Sequence, residues 1–217
     1  MFKRLSILFV GLAITAACSA RPADNAAAPS YTEGTQYVAT PTVQRLDPKD
    51  GKVEVVEVFS YGCIHCAHYE AQAEQLQKEL PKGVVFRVIP AAFNDAWLPY
   101  AQAYYAAKKL GVAEKAHAAL FKAIHTDHYP IRTIEELADW YAANYGVDKA
   151  KFLDLATKDE GIRQRILADG KLIQAWGIDG TPTIVVDGKY RSAQIKDFDE
   201  LNGVAKFLVD RELKGGK

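Results

Sequence analysis

The run Val53 to Phe59 reads VEVVEVF, β-branched and apolar except at Glu54 and Glu57, the pattern of a central strand buried on both faces. Tyr61-Gly62 breaks it. Cys66 to Leu80 is rich in helix formers and stops at Pro81, and Val84 to Ile89 predicts a second strand ended by Pro90. Strand, helix and strand in this order make a parallel βαβ unit. No strand signal follows for a long stretch: Trp97–Leu110, Ala113–His125, Ile134–Tyr145, Lys149–Thr157 and Glu160–Trp176 all read as helices. Thr133 with Glu136 forms a capping box for the third of these, and Gly111 and Gly146 suit C-terminal stops. Strands return at Thr183–Asp187 and Tyr190–Ala193, joined by the turn signal Asp187-Gly188-Lys189, and a last helix is expected from Asp197 to Leu213. The order is βαβ, helices, ββα. It predicts an α/β domain with its first part over 31–95 and its second over 171–217, interrupted by an all-helical insertion over 96–170.

The N-terminal pattern is of another kind. Basic Lys3-Arg4, the apolar run Leu5 to Ala17 and small residues up to Ala20 have the three parts of an export signal, read here as 1–17. The run is too short to span a bilayer. Ile14-Thr15-Ala16-Ala17-Cys18 resembles a bacterial lipoprotein signal, with Thr15 at the place that usually holds Leu, so two outcomes are open: acylation of Cys18, or ordinary cleavage after Ala17 or Ala20. An unacylated Cys18 would be an exposed thiol in an oxidising compartment, which favours acylation and a membrane tether through Cys18. Residues 18–30, small and Pro-containing without hydrophobic periodicity, suit a flexible tether.

With 217 residues, 49% hydrophobic and 25% charged, the chain can bury a full core. Lys and Arg number 27 and so do Asp and Glu; without Lys3 and Arg4 the balance is 25 to 27, a net charge of −2, and no nucleic-acid partner is expected. The three cysteines, Cys18, Cys63 and Cys66, exclude a scaffold stapled by many disulfides and point to chemistry.

Cys63-Ile64-His65-Cys66 stands where the strand gives way to a helix. Cys63 therefore meets the open N–H groups and positive dipole end of that helix, which stabilise a thiolate. The i, i+3 spacing puts the sulfurs on one face, with Cys66 deeper, so Cys63 is the attacked sulfur and Cys66 the resolving one. His65 between them can add donor hydrogen bonds and partial positive charge. The main rival is a zinc site from Cys63, Cys66, His125 and His128, disfavoured by the βαβ setting; no metal is expected, and His68, His117, His125 and His128 are read as surface or helix-face residues. A purely structural disulfide is disfavoured too, because so short a loop removes little unfolded-chain entropy. Glu57, six residues before Cys63 on a strand that otherwise looks buried, is expected to be a desolvated carboxylate with a raised pKa that relays a proton to or from Cys66. Gly180 permits a sharp turn before Thr181-Pro182. If that peptide bond is cis, the Thr181 backbone is free to pair with an extended substrate segment.

Three blocks together resemble the DsbA family of thioredoxin-fold disulfide oxidases: Tyr31–Tyr37, Glu57–Cys66, and Gly177–Tyr190 around Thr181-Pro182. The resemblance covers Tyr31 to the C-terminus and implies a thioredoxin fold with a helical insertion, a cis bond before Pro182, a redox-active Cys63-Cys66 disulfide in place of any cofactor, and reoxidation by a quinone-linked membrane partner of the DsbB type. Substrates would be reduced, unfolded exported proteins in the periplasm, held at Thr181, Pro182 and Ile64. Ile64 replaces the family's usual Pro, and Thr181 stands where many strong oxidases carry Val. A monomer is expected, since the segment before Val53 is short for the dimerisation domain of related isomerases. The alternatives are a periplasmic reductase or isomerase and, from another class, a non-enzymatic holdase or zinc-binding lipoprotein.

Overall fold

The computed structural model describes residues 30–49 and 51–215. The export signal, Cys18 and nearly all of the expected tether lie outside them. Among the described residues no helix is long and apolar enough to cross a membrane.

In chain order the elements are β1 (Tyr37–Ala39), β2 (Val53–Phe59), α1 (Ile64–Glu79), β3 (Val84–Pro90), α2 (Leu98–Lys109), α3 (Ala113–His125), α4 (Ile134–Tyr145), α5 (Lys149–Lys158), α6 (Glu160–Ala175), β4 (Thr183–Val186), β5 (Tyr190–Ser192) and α7 (Phe198–Leu213). They build one five-stranded sheet in the order β1-β5-β4-β2-β3. β2 and β3 run parallel, Val53 opposite Val84, across the α1 crossover. β4 pairs antiparallel with the other edge of β2, Glu57 opposite Ile184. β2 thus has a strand on each edge, and helices pack on both of its faces, which is why its sequence is apolar on both. Val55 faces α1 and α7 with Tyr69, Ala73, Leu76, Leu201 and Leu208, whereas Val56 and Val58 face Leu172, Ile173 and Trp176 at the end of α6. Helices α2 to α5 gather a third core that reaches Phe59, Tyr61 and both cysteines, so the helical insertion borders the Cys-x-x-C segment directly.

Local signals account for most boundaries. Thr133 and Glu136 close the capping box of α4, and Gly146 ends that helix at φ 65°. The β4–β5 turn has positive φ at both Asp187 and Gly188, and the Lys189 N–H donates to the Val186 carbonyl at 3.0 Å. Only glycine fits at 188, because a Cβ would lie 2.2 Å from the Gln44 carbonyl oxygen of the strap that crosses beneath the turn.

Three details differ from the sequence reading. α1 begins at Ile64, two residues early, because Cys63 is its extended N-cap residue. β4 and β5 each stop one residue short of the alternating pattern, since the turn claims Asp187 and the ladder with β1 ends at Ser192. β1 is an added edge strand, antiparallel to β5 with Tyr37 opposite Ser192, and is too short to leave a periodic signature.

Candidate active site

The N-cap position of Cys63 has no side-chain cap, so the first-turn N–H groups of α1 are open towards its sulfur. The Cys63 thiol is brought down to about 5. The chief cause is a hydrogen bond from the Cys66 thiol; the Thr181 side chain and the backbone N–H groups of Cys66 and His65 act in the same direction, against burial. One turn further on, Cys66 is fully buried. Burial first, then the Cys63 sulfur and the nearby Glu57 carboxyl, push its pKa far above the ordinary thiol range. Two chemically identical side chains three residues apart are therefore driven in opposite directions. The outer sulfur is a stable anion, and the inner one needs a proton when it departs.

The Thr181-Pro182 peptide bond is cis, and in its protonated form the Cys63 thiol donates to the Thr181 carbonyl at 3.3 Å. The β4 ladder starts only at Thr183, so Thr181 stands just beyond the strand end and beside the dithiol. His65, Thr181, Pro182, Thr183, Arg191 and Phe198 line part of a groove of about 660 Å³ that runs from this point. His65 lines that groove, and its backbone N–H serves Cys63. Ile64 is exposed on the other flank, at the mouth of a smaller cavity between α1 and α3 that also holds Ala67, Phe121 and His125. The structure thus divides the three expected substrate contacts between two sides of the dithiol.

Glu57 is buried on β2, and its carboxyl is pushed up to about 8 by burial, then by Glu70, then by Cys63. At neutral pH Glu57 therefore keeps its proton, and its carboxyl acts electrostatically on Cys66.

Sequence reasoning missed what lies next to it. Glu70, on α1, is itself raised to about 7 by burial and Glu74, and its carboxylate is 3.3 Å from His117 Nε2. His117 is pushed down to about 4 by burial, so it is neutral, and its Nδ1 is 2.7 Å from the Tyr61 hydroxyl. The Tyr61 hydroxyl and the neutral ring thus share one hydrogen bond at Nδ1, while Nε2 faces the Glu70 carboxyl. His125 Nε2 sits 2.7 Å from the Tyr61 carbonyl oxygen. His117 and His125 turn inward onto the segment before Cys63, and among the described residues no three His, Cys, Asp or Glu side chains gather as metal ligands. The signal available was the spacing His117, Phe121, His125, one face of a helix.

The family model for thioredoxin matches residues 48–204. The chain is 36% identical to the thiol:disulfide interchange protein DsbA of Burkholderia cepacia, over 98% of this chain and 100% of that one. It is also 36% identical to the protein of the same name from Pseudomonas aeruginosa, over 88% and 90%. The crystal structure of oxidoreductase DsbA from Xylella fastidiosa matches with a TM-score of 0.80 at 36% identity, covering 87% of this chain and 100% of that chain. Fold and relatives define a thioredoxin-fold thiol:disulfide oxidoreductase with a helical insertion. Within that class, the chain belongs to the DsbA family.

Proposed function

We propose that this protein is a periplasmic donor of disulfide bonds to newly exported proteins, working through Cys63 and Cys66 without a cofactor. In the oxidised enzyme a substrate thiolate attacks the Cys63 sulfur, the Cys63–Cys66 bond breaks, and Cys66 leaves with the electron pair. The Cys66 anion is disfavoured by burial and takes a proton, which Glu57, itself raised to about 8, would supply. A second substrate thiolate then attacks the substrate sulfur of the mixed disulfide and expels Cys63 as a thiolate. The substrate dithiol has lost two electrons and become a disulfide, and the enzyme pair has gained them. A quinone-linked membrane partner of the DsbB type would remove them again. Thr181 and Pro182, beside the dithiol, offer an extended substrate segment a backbone edge that is independent of its sequence. His65 in the groove and Ile64 on the opposite flank would contact the chain on either side of the reacting cysteine.

The observation that carries this reading is the asymmetry of the sulfurs: a thiolate as stable as Cys63 makes the reduced enzyme the favoured product. Equilibration of the pair with glutathione tests it. A pair reduced at potentials where secreted structural disulfides stay closed supports the donor; one that resists reduction as they do overturns it. Cys63→Ser should abolish catalysed oxidation of a reduced substrate, which a holdase would not notice.

A further inference from the structure

Helix α3 turns three rings four residues apart onto Tyr61: Phe121 lies 4.9 Å from the Tyr61 ring centroid, 5.2 Å from that of His117 and 6.4 Å from that of His125. Tyr61 is fully buried and is held at both ends, its hydroxyl by His117 Nδ1 and its carbonyl by His125 Nε2, each at 2.7 Å. A carbonyl only accepts, so His125 Nε2 carries the proton of that bond. Tyr61 is part of the tight turn that delivers Cys63 to α1: the Cys63 N–H donates to the Ser60 carbonyl at 3.0 Å, and the Gly62 N–H to the Ser60 hydroxyl at 3.2 Å. The opposite side of the turn is wedged by the helical insertion, since a Cβ at Gly62 would meet Trp97 Nε1 at 2.8 Å and the Tyr100 ring at 3.0 Å.

The turn therefore has little room to move while its carbonyl is held. Without the His125 donor a buried carbonyl loses its partner, which costs more than a hydrogen bond normally gains. The turn must then rotate to find water, and rotation carries the Cys63 sulfur away from the His65 and Cys66 N–H groups that stabilise its anion. Resting on the disulfide-exchange reading above, we infer that His125 is a positioning residue of the reaction: its Nε2–H, bound to the Tyr61 carbonyl, lets the helical insertion set the thiolate stability of Cys63.

The test uses full-length reduced protein and follows the ultraviolet absorbance of the thiolate against pH, together with the glutathione equilibrium. His125→Phe keeps a ring against Phe121 and removes the donor; it should raise the Cys63 midpoint by about one pH unit and shift the glutathione equilibrium about tenfold towards the retained disulfide. His125→Gln restores an N–H without the capacity for charge and should titrate with the unsubstituted protein. If His125→Phe fails to fold, His125→Ala, which asks for no added space, replaces it with the same expectation. A donorless variant that titrates normally overturns the inference, and so does a Gln variant displaced as far as the donorless one, which would assign the effect to charge. An unsubstituted protein in which Cys63 titrates as an ordinary thiol overturns the proposed function instead.

Discussion

Glu54 and Glu57 lie three residues apart on β2, both buried, and point to opposite faces of the sheet. On its face Glu54 meets donors on every side: the Leu46 and Asp47 N–H groups at 2.9 and 2.8 Å, Arg87 Nε at 3.1 Å and Arg45 Nε at 3.5 Å. It staples the strap before β2 to the sheet. Glu57 meets another carboxyl and a sulfur, and burial leaves it protonated at neutral pH. The same side chain on the same strand becomes a structural anion at one site and a proton reservoir at the other. Burial alone does not decide between these roles; the charge of the neighbours does.

That contrast can be broken most decisively at Glu54. Replacing it by alanine removes the acceptor shared by two backbone N–H groups and two half-buried arginines, which keep Asp187 and Asp47, and the urea midpoint should fall by the equivalent of about 3 kcal/mol. A loss under about 1 kcal/mol would mean that the staple carries no weight. Glu57→Gln should move stability the other way. With its folded pKa raised from 4.5 to about 8, Glu57 contributes fully below pH 4.5, and that contribution is lost as the pH rises through 8, because the native state binds the proton the unfolded state releases. The Gln variant should lack this decline and gain on the order of a few kcal/mol at pH 8, while resolving mixed disulfides more slowly; a pH–stability profile identical to that of the parent would remove Glu57 from the site. The smallest effect is expected from Glu70→Gln. Removing the second cause of the Glu57 shift should lower the Glu57 midpoint by less than about one unit, and because Glu70, raised to about 7, also holds a native-state proton, the decline should lose slope between pH 4.5 and 7. A midpoint that rises would show that Glu70 stabilises the charged form.

The elements governed by local period were legible in the sequence. β2, the α1 crossover, the capping box of α4 and the Asp187-Gly188 turn each follow from neighbours within a few positions. The existence of a carboxyl under the dithiol was legible as well, as a Glu in an apolar strand. Its difference from Glu54 was not, because the donors that distinguish them arrive from the strap before β2 and from β3. The place of Cys63 at the open end of α1 was legible too; only the first two helical residues were not, because neither Ile64 nor His65 announces a helix start. The grip of His117 and His125 on Tyr61 joins residues 56 and 64 positions apart, and a histidine on an otherwise apolar helix face gives no sign of what it will face.

The Thr181 carbonyl that touches Cys63 is supplied 118 residues further along the chain, and only after β4 has seated between β2 and β5. A polypeptide emerging amino end first would present its Cys-Ile-His-Cys segment well before the opposite wall exists. During that interval it carries two unsheltered thiols, themselves open to unwanted cross-linking. Reactivity and its confinement thus come from distant parts of one polymer, and maturity of the catalyst coincides with arrival of its penultimate strand.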